Sequence, residues 1–336
     1  MKSPALRTGI IATSSSIPKV EFDLGVDVLR EKGFEVDVHP SVYGQYWFYP
    51  ASDEARAGAL IEFALRPDLD LIWCARGGYG ATHLLPYLEK AKKKLLKAKK
   101  KTLLGYSDAT ALLEWFRVNL GWKTIHSPMP ALRTFAFLKK EEWKNIETCI
   151  AVAQKASSKG SYSHSLTPLY LPKSFKSVEA PVVGGNLFVW NSLLGTRNQG
   201  NARGKILFLE EIGENLGRIN RMLHHLEQAN GLKGVKAIVL GDFLDCPDSV
   251  ANGLMEIPGK GPNYEAFLRN PPKEAMGPIR RIYPTSEAMD FVFQSLGERT
   301  GIPVFKGCPV GHGPNYHPLF LGKKHKLNKN GRFSLG

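Results

Sequence analysis

Short apolar blocks alternate with stretches of helical spacing through the first half of the chain. Thr8 to Thr13 is a β-rich apolar run, and the Ser14-Ser15-Ser16 and Pro18 behind it read as a turn. Val20 to Lys32 carries Leu24 and Val28 at helical spacing and stops at Gly33. Glu35 to His39 alternates as a second strand, and Ser52 or Asp53 can cap a helix running through Leu65. Leu69 to Ala75 is apolar enough for a central strand, and Lys101 to Tyr106 makes a fourth. Strand and helix in regular alternation predict a parallel sheet covered on both faces. In such sheets functional groups gather beyond the carboxyl ends of the strands. Two loops lie there, Arg76-Gly77-Gly78-Tyr79-Gly80 and Gly105-Tyr106-Ser107-Asp108.

The second half resumes after a Ser-, Lys-, Gly- and Pro-rich stretch. Glu141 to Lys155 reads as a helix and 156–179 as a linker, so the expected organisation is a 1–155 domain and a 180–336 domain. Gly184-Gly185-Asn186 opens an apolar helix over Leu187 to Leu194. Lys205 to Leu209 is a strand ending at Glu210-Glu211, Arg218 to Gln228 a helix, and Lys236 to Phe243 another strand. A helix from Ser286 to Arg299 and a strand from Ile302 to Phe305 lead to Gly311-His312-Gly313. The fold class is therefore α/β, an N-terminal parallel-sheet domain joined to a second α/β domain with mixed strands.

Composition narrows the picture without redirecting it. The 336 residues are 43% hydrophobic and 23% charged, which is globular and long enough for two domains. No apolar run reaches membrane-spanning length. Gly9 to Ala12 is too short for the apolar core of a secretory signal, leaving a cytoplasmic protein as the expectation. Cys74, Cys149, Cys246 and Cys308 lie far apart in apolar contexts, as buried thiols do; no Cys-x-x-Cys pair suggests zinc. The net charge of +14 raises the question of an anionic polymer. Much of the excess sits in one lysine run, Lys90 to Lys101, and in the Lys323–Lys329 tail. The run lacks aromatics and reads as a solvated face, so no nucleic-acid or membrane partner is expected.

The candidate chemistry lies in the two loops and the second-half carboxylates. A strand turning sharply into a helix at Ser107 would expose its hydroxyl beside the unpaired N–H groups of the helix start. This is the logic of a nucleophile elbow, although Ala109 replaces the second glycine of G-x-S-x-G, and Ser107 could instead cap the helix. Three glycines in 76–80 allow close backbone approach, and Arg76 beside them suits an anion. The spacing is not that of a dinucleotide-binding loop.

Taken in order, Arg76-Gly77-Gly78-Tyr79-Gly80, Gly105-Tyr106-Ser107-Asp108, Gly184-Gly185-Asn186-Leu187, Leu209-Glu210-Glu211 with Arg218 and Met222-Leu223, and Gly311-His312 resemble the LD-carboxypeptidase family of serine peptidases. That family includes the muramoyl-tetrapeptide carboxypeptidases and the microcin C immunity proteins. The resemblance runs from about Thr8 to about Leu321. It implies a two-domain fold with a Ser–His–Glu triad: Ser107 as nucleophile, His312 as base and Glu210 as orienting acid. Glu211 and Glu214 compete with Glu210, and His224, His225 and His317 with His312. It further implies an oxyanion hole from the N–H groups of Asp108 and Gly78 and substrate binding by Arg76, Gly77, Tyr79, Asn186 and Arg218, with a free substrate carboxylate expected at Arg76, Arg218, backbone N–H groups or the helix start at Asn186. No metal or cofactor is implied, and a homodimer is. The implied reaction releases terminal D-alanine from a muropeptide tetrapeptide in cell-wall recycling; the immunity branch instead cleaves an amide in a peptidyl or aminoacyl nucleotide. The Pro-rich segment from Asp242 to Tyr283 looks longer than the family's, as a lid over the site would be.

Overall fold

The apolar blocks of the first half become five parallel strands, β1 (Arg7–Ile11), β2 (Glu35–Val38), β3 (Leu71–Cys74), β4 (Thr102–Gly105) and β5 (Lys123–His126). The computed structural model describes residues 6–154, 162–247, 285–314 and 316–336. The strands lie in the order β2-β1-β3-β4-β5. Helices α1 (Lys19–Glu31), α2 (Asp53–Leu65), α3 (Leu85–Leu95), α4 (Thr110–Leu120) and α5 (Lys140–Ala153) follow strands in turn. Ser52 is the cap of α2, its hydroxyl accepting the Ala55 N–H at 3.3 Å. Right-handed crossovers in this order place α1 on one face and α2 to α4 on the other. Accordingly α2 packs on α3 and α3 on α4. The direction of winding reverses between β1 and β3, which opens a crevice at their carboxyl ends.

The second sheet has eight strands. They are β6 (Ser163–Ser165), β7 (Thr167–Tyr170), β8 (Ser177–Asn186), β9 (Ile206–Ile212), β10 (Ala237–Leu244), β11 (Val304–Lys306), and, after β12 (Leu319–Leu321), β13 (Lys324–Asn328) and β14 (Arg332–Leu335). Their order is β6-β14-β13-β8-β9-β10-β11-β7, with β8 to β11 parallel and the flanks antiparallel. Helices α6 (Leu187–Ser192), α7 (Leu216–Gln228) and α8 (Thr285–Thr300) accompany them. Among the described residues no helix is long and apolar enough to cross a membrane.

The halves are stitched together more closely than a linker implies. β12 returns to the first sheet and pairs antiparallel with β5. One buried cluster runs from Ile10, Trp73 and Leu112 through to Ile206, Phe208 and Phe305. α4 packs on β8, where Gly185 lies against Thr110. The stretch read as a linker contributes β6 and β7, three- and four-residue pieces at the edges of the sheet whose Ser, His and Pro content hides them; residues 155–161 fall outside the described ones. The Lys323–Lys329 tail is a strand of the same sheet. The lysine run is not all solvated: Lys101 is buried, donating to the Ala64 carbonyl at 2.7 Å. All four cysteines are buried free thiols.

Gly184 shows how tightly the sheet closes behind the site. Its φ is +122°, and a Cβ there would run into the Phe208 carbonyl on β9. Gly184→Ala should therefore lower stability by on the order of 2–4 kcal/mol, read from urea unfolding; a change within error would mean the strand pair tolerates the methyl.

Candidate functional site

Ser107 sits at the carboxyl end of β4 with φ +59°, the left-handed conformation that a strand-to-helix elbow forces on a residue with a side chain. It does not cap α4, whose start has no side-chain cap. Gly77 is bare toward it: a Cβ at Gly77 would stand 3.0 Å from the Ser107 Cβ and 3.1 Å from its Oγ. Gly78, exposed at φ +104°, turns the loop, and a Cβ there would strike the Ser15 hydroxyl. Asp108 is buried and ties the two loops together, its Oδ2 accepting the Ala81 N–H at 2.8 Å. Burial pushes its carboxyl up, against the pull of Ser14 and of that N–H.

Glu210 lies on β9 opposite Asn186 of β8 and is wholly buried. Its Oε2 meets the Nδ1 of His312 at 2.6 Å. Burial alone would push the Glu210 carboxyl up, but His126 and His312 outweigh it and hold it down to about 2. His312 feels the reverse balance. Burial lowers it, and the hydrogen bond and charge of Glu210 carry it above its ordinary value. The imidazole packs on the ring of Tyr106, the residue before Ser107, with centroids 4.6 Å apart. No hydrogen bond joins Ser107 to His312 among the described residues.

Two further groups complete the surroundings, and motif reading passed over both. His126 ends β5, buried between Tyr106 and Phe208, with its Nε2 3.9 Å from the Glu210 Oε1. That distance is outside hydrogen-bond range, and both atoms are buried without a partner among the described residues. Asp242, on β10, accepts the Gly313 N–H at 2.9 Å. Burial and the charge of Glu210 push Asp242 up to about 6, although the Gly313 N–H and His312 pull it down. Two backbone bonds run beside it, Cys308 N–H to Leu240 and Asp242 N–H to Val310, so the end of β10 clasps the segment that carries His312. The signals lay in the sequence as Gly241-Asp242 at a strand end and as a lone histidine before Ser127-Pro128, but β5 was not recognised as a strand.

The rivals have other partners. Glu211 accepts from Asn186 Nδ2 at 2.9 Å and from the Phe188 N–H at 2.8 Å, fixing the start of α6. Glu214 pairs with Arg218 at 3.2 Å. His224 and His225 are exposed on α7. His317 bonds Asn145 at 2.6 Å through Nδ1. Of the expected carboxylate-binding residues, Arg76 is half-buried and donates to the Ser16 carbonyl, while Tyr79 is exposed beside Tyr49 and Phe48. Asn186 is buried, its Oδ1 accepts the Val189 N–H at 3.1 Å and its amide donates to Glu211, so its side chain also joins β8, β9 and the start of α6. Arg218 stands exposed on the first turn of α7 against Glu214. The segment expected as a lid falls, from 248 to 284, outside the described residues.

Comparison with known proteins gives the same arrangement a family. Residues 8–127 match the LD-carboxypeptidase N-terminal domain and 179–327 the LD-carboxypeptidase C-terminal domain. The chain is 30% identical over 269 residues to the murein tetrapeptide carboxypeptidase of Pseudomonas aeruginosa, covering 79% of this chain and 85% of that protein. It is 28% identical over 266 residues to the microcin C7 self-immunity protein MccF of Escherichia coli, covering 70% and 76%. The crystal structure of muramoyltetrapeptide carboxypeptidase from Oxalobacter formigenes superposes with a TM-score of 0.72 at 25% identity, over 98% of this chain and 97% of that one. MccF in complex with glutamyl sulfamoyl guanosine shares the fold, with a TM-score of 0.74 at 21% identity over 99% and 96%. With both domains matched in order and a relative of 30% identity along most of its length, the chain belongs to the LD-carboxypeptidase family.

Proposed function

We propose that the protein is a serine-type LD-carboxypeptidase that releases terminal D-alanine from a muropeptide tetrapeptide through Ser107, His312 and Glu210. The observation that carries this is the 2.6 Å contact between a buried carboxylate and an imidazole seated against the elbow residue Tyr106. A hydroxyl becomes a competent nucleophile when a neighbour takes its proton. His312, with Nδ1–H held by Glu210, is oriented to take it on Nε2. Ser107 Oγ adds to the carbonyl of the L-centre, and the N–H groups of Gly78 and Asp108 receive the oxyanion. Collapse breaks the C–N bond while His312 hands its proton to the departing D-alanine amine. Water, deprotonated by the same imidazole, then releases the tripeptide from Ser107. Glu210 stays ionised throughout and stabilises the imidazolium.

A second reading, an amidase acting on an aminoacyl nucleotide, draws on the 28% identity to MccF. It uses the same three residues, so the substrates separate the two: cleavage rates on a D-alanine-terminated tetrapeptide and on an aminoacyl sulfamoyl nucleotide should favour the tetrapeptide.

Ser107→Ala should retain the wild-type circular dichroism spectrum and melting temperature within about 3 °C and lose at least about a thousandfold in kcat for D-alanine release. Release at the wild-type rate would remove Ser107 from the chemistry. The pH profile follows from the sign of the His312 shift. A base must be neutral, so kcat/KM should rise with an acid limb above 6.5, the ordinary value that Glu210 lifts. In Glu210→Gln the lifting charge is gone and burial remains. The limb should move to lower pH while the plateau falls by about a hundredfold or more. An unmoved limb would show that some other group titrates there.

A further inference from the structure

The three serines behind β1 have no part in the chemistry above, yet they lie against the glycine loop and are laced to it. The Ser15 N–H donates to the Gly77 carbonyl at 3.2 Å, and the Ser15 hydroxyl accepts the Tyr79 N–H at 3.3 Å. Ser15 thus holds the peptide groups on both sides of Gly78. It is buried, and its hydroxyl fills the space that a Cβ on Gly78 would need. Only glycine fits at that position, which takes φ +104°.

Backbone planarity turns these contacts into a direction. In a trans peptide the C=O and the N–H that follows it point opposite ways. No peptide among the described residues is cis. With the Gly77 carbonyl drawn to Ser15, the Gly78 N–H points away from the serine loop. Among the described residues it donates to nothing. Gly77 meanwhile turns its bare side to Ser107, where a Cβ would stand 3.1 Å from Oγ.

The support beneath is fixed from several sides. Arg56, on α2, is fully buried, and its Nη1 donates to the Thr13 carbonyl just after β1 and to the Gly80 carbonyl at 3.2 Å. Its guanidinium lies over the Tyr49 ring, 4.4 Å from the centroid, and pairs with Asp53. One planar fork therefore ties the serine loop to the glycine loop. The Ser16 N–H donates to the Phe48 carbonyl at 2.9 Å, in the tight turn from Tyr46 to Tyr49 that carries Trp47. A donor to a developing oxyanion works through its aim, which has to be set before the charge appears. A glycine-rich backbone has no strong preference of its own to supply that aim. The serine loop supplies it.

We infer that Ser15 is a positioning residue for the oxyanion hole: by holding the peptides on either side of Gly78, it aims the Gly78 N–H at the carbonyl that Ser107 attacks. The inference rests on the serine-peptidase reading above and adds a residue to it. Ser15→Ala removes the acceptor of the Tyr79 N–H and keeps the backbone bond to Gly77. Ser16→Ala, the control, removes a neighbouring buried hydroxyl that bonds nothing among the described residues. Both are compared with the wild type for D-alanine release from a tetrapeptide, for melting temperature, and for inhibition by a peptide boronic acid. That inhibitor forms a tetrahedral anion on the nucleophile and so reports on the hole directly.

In Ser15→Ala kcat should fall by about ten- to a hundredfold, less than the roughly 10²–10³ that follows outright loss of a donor. KM and the acid limb of the pH profile should stay where they are, because the Glu210–His312 pair is untouched. Inhibition by the boronic acid should weaken by the same factor as kcat/KM. Ser16→Ala should match the wild type. If Ser15→Ala does not fold, Ser15→Cys, with a weaker acceptor of similar size, takes its place and should lose kcat in the same pattern to a smaller extent. A kcat within about twofold of the wild type, a loss confined to KM, a shifted acid limb or an equal loss in Ser16→Ala overturns the role of Ser15 and leaves the carboxypeptidase reading standing. No release of D-alanine by the wild type defeats the underlying reading, and the role of Ser15 with it.

Discussion

A fully buried carboxylate cannot stay ionised without support, and the rest of this structure is arranged around giving Glu210 one hydrogen-bond partner and a second imidazole close by. Its Oε2 holds His312, from the second half of the chain, and its Oε1 faces His126, from the first sheet. Burial works against the charge, and the two imidazoles reverse the outcome. Removing one partner of such a pair generally costs about 3–5 kcal/mol, because the charge left behind has nowhere to go. The docking of the two sheets brings the His126 ring to within 3.9 Å of the Glu210 carboxylate. The bare contact of Gly185 with Thr110, the return of β12 to β5 and the shared core around Phe208 bring the sheets close enough for it.

Around that charge the parts divide between chemistry and support. Ser107 is raised by an elbow in a left-handed conformation. Asp108, next to it, anchors the glycine loop through its carboxylate. Asp242 and the end of β10 hold the histidine segment from behind. Glu211, one residue from the acid, is turned to the opposite side of β9 and binds the start of α6. Alternation along a strand accounts for this: neighbours point to opposite faces, so only one of two adjacent glutamates can reach His312. The aromatic hairpin at Trp47 stands outside this apparatus, at the reversal of the first sheet.

Much of this was legible in the sequence. The apolar blocks at Thr8–Thr13, Leu69–Ala75, Lys101–Tyr106, Lys205–Leu209 and Lys236–Phe243 all became strands, because central parallel strands are buried on both faces and must be continuously apolar. Ser107, Glu210 and His312 lie at strand ends beside glycines, but it was the resemblance to the family that singled them out from Glu211, Glu214 and the other histidines. What escaped was short or polar. β5 is four residues with a lysine at its start, and β6, β7, β13 and β14 carry Ser, Thr, Pro, Lys and Arg toward solvent. His126 was lost with β5. The bond from the Asn186 amide to Glu211 was not legible either, because it joins residues 25 positions apart on neighbouring strands.

The most direct test of the central claim is to trap the nucleophile. A serine-reactive fluorophosphonate, followed by intact-mass and peptide mass spectrometry, should add once, on Ser107, in the wild type. The rate of addition should rise with pH along the same limb as peptide cleavage, and His312→Ala should lose most of it. Full occupancy of another residue, or modification of Ser107 that leaves D-alanine release untouched, would contradict a relay running from Glu210 through His312 to Ser107.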